Sequence, residues 1–73
     1  MRKELQYWST RGGLWSIRLE EDGERWFNIR EYKHGKQQAA SCNIQSREQA
    51  EAEMARRIAD AAKIDNIHYK RVR

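Results

Sequence analysis

One thiol and two imidazoles, Cys42, His34 and His68, are all that the 73 residues offer as soft metal ligands. A structural zinc site takes four ligands of this kind, so the set is too small. A Cys–His nucleophilic pair would need Cys42 exposed beside a base. Strand periodicity instead assigns Cys42 to the inward side, where a thiol acts as a small buried hydrophobe. His34 falls in a turn and His68 in the carboxyl-terminal tail, both expected to be solvated. The acids Glu20, Glu21, Asp22 and Glu24 crowd one hairpin tip. A lone metal ion is conceivable there, but a solvated turn is the expectation. Gly12-Gly13 is a bare pair, not a phosphate-cradling loop. These residues predict no enzyme, no cofactor and no metal centre.

The elements that hold these side chains are readable from periodicity. Leu14 to Leu19 and Arg25 to Tyr32 alternate with period two, which predicts two strands joined through Asp22-Gly23. His34-Gly35-Lys36 makes a second turn, and Gln37 to Ile44 returns as a third strand. Alternate side chains of a strand point to opposite faces. Trp15, Ile17 and Leu19 therefore share a face with Phe27 and Ile29, and with Ala40, Cys42 and Ile44. The opposite face carries Ser16 and Arg18, then Trp26, Asn28, Arg30 and Tyr32, then Gln37, Ala39, Ser41 and Asn43.

A helix follows. Ser46 and Gln49 have capping-box spacing. Glu48, Glu51 and Glu53 lie toward its start and Arg56, Arg57 and Lys63 toward its end, as the helix dipole favours. Ala50, Met54, Ile58 and Ala61 form one apolar stripe, so the helix is predicted from about residue 47 to 62. The expected fold class is α+β: a three- to four-stranded antiparallel sheet with one helix packed on one face. All of 1–73 is expected as a single domain. Residues 1–13 form a basic arm or an edge strand, 14–45 the three-stranded sheet, 46–63 the helix, and 64–73 a basic tail or short strand.

A chain this short buries only about 60% of its unfolded surface, and its aromatic rings make up part of the shortfall. One Cys excludes an internal disulfide and fits a reducing compartment. No apolar run approaches the roughly 20 residues of a membrane span, and no signal peptide is apparent, so a cytoplasmic protein is expected.

Net charge is +4 and unevenly placed. Residues 1–19 carry Arg2, Lys3, Arg11 and Arg18 against Glu4, and residues 63–73 carry Lys63, Lys70, Arg71 and Arg73 against Asp65. The middle is nearly balanced. Basic ends permit contact with nucleic acid or with an acidic protein surface. On the face turned from the helix, Arg18 and Arg30 have the fork that pairs with guanine edges, and Asn28 the amide that pairs with adenine. Trp26 and Tyr32 could pack on sugars or exposed bases. Alternatively, the arm or the tail covers those two rings as a second small core. The acidic tip would repel phosphate wherever it came near.

Strand, Asp-Gly turn, strand, Gly-Lys turn, strand, then Ser-x-x-Gln-Ala opening an Ala-rich helix covers residues 14–62. This order resembles the three-strand-plus-helix DNA-binding modules at the amino ends of tyrosine recombinases, and the sheet-reading domain of plant ethylene-response factors. The resemblance implies readout of the major groove by Arg18, Trp26, Asn28 and Arg30. The usual Gly-x-Phe after the third strand is replaced by Asn43-Ile44-Gln45. The same layout is similar to small phage proteins, including anti-CRISPR proteins that disable a host complex by binding it.

The expected function is thus non-catalytic binding, by a phage or mobile-element protein. Double-stranded DNA is the first-choice partner, met through Arg18, Trp26, Asn28, Arg30 and Tyr32, with Lys36 and Arg71 adding positive charge. The alternative is an anti-CRISPR-like inhibitor that blocks a host nucleic-acid-handling protein complex. Neither a membrane nor a small-molecule substrate is expected.

Overall fold

The computed structural model describes residues 2–23 and 26–73. Among these, five strands and one helix follow in the order β1 (Arg2–Ser9), β2 (Trp15–Asp22), β3 (Trp26–Lys33), β4 (Lys36–Ile44), α1 (Arg47–Ile64) and β5 (Lys70–Arg71). The strands form an open antiparallel sheet in the order β4-β3-β2-β1-β5, with α1 packed over β2, β3 and β4. The α+β architecture is the expected one. The sheet is wider than three to four strands because both ends of the chain join it. Arg2–Ser9 pairs along β2, and the tail returns as β5 against Trp8 and Ser9. No helix among the described residues is long and apolar enough to cross a membrane.

Alternation built β2 and β3 as read. Ile17, Leu19 and Ile29 are fully buried beneath the helix residues Ala50, Met54 and Ala61, with Phe27 beside them and Trp15 and Ile58 at the margin. Each fully buried Ile, Leu or Met contributes about 1.5–3 kcal/mol of transfer free energy. Alanines on the buried stripe let the helix sit close to the sheet. Its start is fixed by Ser46, whose hydroxyl accepts from the Gln49 N–H at 3.0 Å. The turn His34-Gly35 has positive φ at both residues (53° and 76°), the twist that suits a two-residue hairpin. Glu24 and Arg25, the last acid of the expected tip and the expected start of the second strand, lie outside the described residues.

The assignment of β4 needs correction. Ala40 and Cys42 were expected in the core; both are exposed, and Ala39 and Ser41 face the helix instead. Ser41 shows this directly, since its hydroxyl accepts from Arg57 on α1. The cause is a β-bulge: Phe27 pairs with Ile44 but Ile29 pairs with Ser41, so Cys42 and Asn43 together oppose Asn28. Asn43 takes φ 61°, a left-handed conformation that asparagine tolerates better than most side chains. The extra residue resets the alternation, and Ile44 reaches the core as predicted.

The tail closes the open end of the core. Tyr69 is buried, and its hydroxyl donates to Glu31 Oε2 at 2.6 Å. Ile67 packs beside it.

Candidate nucleic-acid interface

Because β2 and β3 run without a register break, Arg18, Asn28, Arg30 and Tyr32 do lie on the face turned from the helix, as expected. Trp26 joins them at the hairpin end, across from Asp22, and is 40% exposed. What the sequence did not reveal is that this face is occupied with itself.

Arg30 Nε lies 2.9 Å from Glu20 Oε1, and its Nη1 donates to Gln37 Oε1 at 3.1 Å. The hydrogen bond to Glu20 raises the Arg30 pKa above its ordinary value. Asn28 is only 3% exposed, and its Oδ1 accepts the Asn43 backbone N–H at 3.0 Å, which holds the bulge in place. The Arg18 guanidinium sits between two rings, 5.2 Å from the centroid of Tyr7 and 4.9 Å from that of Tyr32. Arg73 caps the same column, 4.8 Å from the Tyr7 centroid, and donates from Nε to Glu4 Oε2 at 2.9 Å. That bond to Glu4 raises the Arg73 pKa. Neither Trp26 nor Tyr32 is covered by the tail, whose Arg73 stacks on Tyr7; the arm reaches Tyr32 only through Arg18, which lies between the two tyrosines. Tyr32 is half-buried in the column, while Trp26 stays open.

Base-edge readout needs donors free to reach a groove. Asn28 Oδ1 and Arg30 Nε and Nη1 are committed within the protein. Arg18 is held between two rings with its Nε buried and, among the described residues, without a hydrogen-bond partner. Arg71 lies elsewhere. It pairs with Trp8 and flanks a groove of about 350 Å³ between α1 and β1, on the helix side.

Lys36 belongs to a different cluster, which the sequence reading missed. Antiparallel connections bring the β1–β2 turn, the β3–β4 turn, the end of α1 and the start of β5 to one end of the sheet. Arg11, Lys33, Lys36, Lys63 and Lys70 stand there, all exposed, and among the described residues none has a carboxylate within 4.0 Å. Lys33 Nζ lies 5.3 Å from the Trp15 ring centroid. Asp65, the helix C-cap, and Glu31, which lines one pocket with it and Trp15, are acids of this end, with Asp60 one turn back on α1. At the other end lie Glu21, Asp22 and Glu48, with Arg2, Lys3 and Arg47 among them. Counting charge by segment hid this polarity, and counting it by sheet end would have found it.

Among the described residues no three His, Cys, Asp or Glu side chains are grouped to hold a metal ion. No protein-family model matches the chain, no curated protein matches it, and no solved structure matches its fold.

Proposed function

We propose that this is a non-catalytic nucleic-acid-binding protein that engages the phosphate backbone of duplex DNA through the cationic end of its sheet. The observation that carries the reading is the gathering of Arg11, Lys33, Lys36, Lys63 and Lys70 from four parts of the chain at one end, with no carboxylate partner among the described residues. Ion pairs consume much of the remaining positive charge, so this end is where a polyanion gains most. Phosphate contacts position a protein and carry little sequence information. Binding is therefore tolerant of sequence, with the tyrosine–arginine column serving as a rigid support.

A titration of duplex DNA against salt tests this. Each neutralised phosphate contributes a slope of about −0.9 in log K against log salt. Lys33→Gln and Lys36→Gln should each flatten the slope by about one, with similar losses on unrelated duplexes. No binding at low salt, or unchanged binding by the double variant, would overturn the proposal.

A second reading rests on the opposite end, where Trp26 is exposed next to Asp22. A mixed-charge surface with an aromatic anchor suits a protein partner, as in an inhibitor of anti-CRISPR type that binds a nucleic-acid-handling complex. Loss of partner affinity in Trp26→Ala, with DNA binding absent, would favour it.

A further inference from the structure

The edge strand β4 is unlike the rest of the chain. Of 73 residues 26 are Lys, Arg, Asp or Glu, yet none falls between Gln37 and Ser46. That stretch supplies nearly all of β4 (Lys36–Ile44), which ends the sheet with no strand on its outer side. Natural edge strands are blunted by charge, proline, bulges or a covering element. Here charge and proline are absent beyond Lys36, and although two bulges interrupt the strand, α1 packs over the face of the sheet, with Arg57 donating to Ser41.

We propose that the β4 edge pairs antiparallel with the β4 edge of a second copy of this chain, the two strands crossing at Ala40. Three observations fit that occupant. The pairing with β3 is irregular at Gln38 and again at Cys42–Asn43, so the irregular positions flank Ala40 two residues to either side. Antiparallel pairing about Ala40 sets Gln38 of one copy against Cys42 of the other, and the extra twist of each bulge meets its counterpart. Ala39, Ala40 and Ser41 between them are small enough for the backbones to approach.

Charge then selects the direction. Lys33 and Lys36 stand at one end of the edge, while Glu48 follows the other end in the first turn of α1. Antiparallel pairing brings the lysines of each copy toward the charge-balanced Arg47 and Glu48 of its neighbour, whereas parallel pairing would bring lysine to lysine. Self-complementarity of one surface patch is what a two-fold interface requires.

Sedimentation equilibrium and cross-linking test the assignment. The wild-type chain should sediment as twice 8.8 kDa. Ala40→Lys should sediment as a single chain, because it places two ammonium groups face to face across the dyad. It should still melt cooperatively since Ala40 is exposed, its melting temperature approaching that of wild type on dilution. Ala40→Cys combined with Cys42→Ser should oxidise to a covalent dimer more readily than wild type. Directly opposed residues have Cα atoms about 4.5–5.5 Å apart, within disulfide range. A wild-type monomer at every concentration up to about millimolar, a dimer that survives Ala40→Lys, or oxidation of Ala40→Cys no faster than that of wild type would each overturn the proposal.

Discussion

The Tyr69 hydroxyl lies 2.6 Å from Glu31 Oε2, and that single hydrogen bond ties the segment after the helix to the centre of the sheet. Both groups sit on the helix side, where the core would otherwise open at its carboxyl-terminal end. Burial first, then the bond to Glu31, raises the Tyr69 pKa well above its ordinary value near 10.

Tyr69→Phe should therefore destabilise the fold at neutral pH by about 1.5–3 kcal/mol, the range for a hydrogen bond to a charged group. It should also change the alkaline behaviour. Above about pH 10 the unfolded chain releases the Tyr69 proton while the folded chain keeps it. Stability contributed by this group is thus constant below pH 10 and is lost as pH rises beyond it. Urea unfolding at pH 8 and pH 11 should show a smaller decrease for Tyr69→Phe than for wild type. An equal decrease in both would mean that Tyr69 titrates normally.

The Glu20–Arg30 pair gives a second expectation. Its side chains are 11% and 15% exposed, between the surface case and full burial. Exposed pairs are worth about 0–1 kcal/mol, and breaking a fully buried pair costs about 3–5 kcal/mol. Glu20→Ala should cost about 2 kcal/mol by these limits. Joint replacement by Glu20→Leu and Arg30→Met should cost less than Glu20→Ala alone, since no charge is stranded. Denaturant midpoints decide it, and a loss below about 0.5 kcal/mol for Glu20→Ala would place the pair in the surface class.

The bulge makes a third. Asn28→Ala leaves the Asn43 N–H without its acceptor and should cost about 1–3 kcal/mol. Asn43→Gly should be tolerated, because glycine accepts φ 61° freely, whereas Asn43→Val should lose about 1–2 kcal/mol to left-handed strain. Equal stability of the two Asn43 variants would contradict a left-handed residue at this position.

Legibility in the sequence follows the same physics. Trp15, Ile17 and Leu19 against Phe27 and Ile29 could be read because β2 and β3 pair without a break, so period two held throughout. The helix stripe could be read because Ala50, Met54, Ile58 and Ala61 are a purely local pattern. Cys42 was misplaced because a bulge depends on a partner strand, and the bond that fixes it joins Asn28 to a residue fifteen positions away. The same distance hid the state of the candidate face. Arg30 looks available until the register delivers Glu20 to it, and Arg18 looks available until β1 and β3 bring Tyr7 and Tyr32 to either side. The polarity of the sheet ends was equally non-local, being set by which turns share an end.

The two-for-one step at Cys42 and Asn43 also governs how this chain can change length. Losing one of the two would leave a single residue opposite Asn28 and keep Ile44 opposite Phe27, whereas adding a residue there would present Asn43 where Ile44 now enters the core. Removing or adding residues around Arg11-Gly12-Gly13 displaces nothing of this kind, because no side chain there enters the core. Insertions among descendants of this sequence should accumulate at that turn and be purged from the fourth strand, where loss of the extra residue is the one change of length the register absorbs.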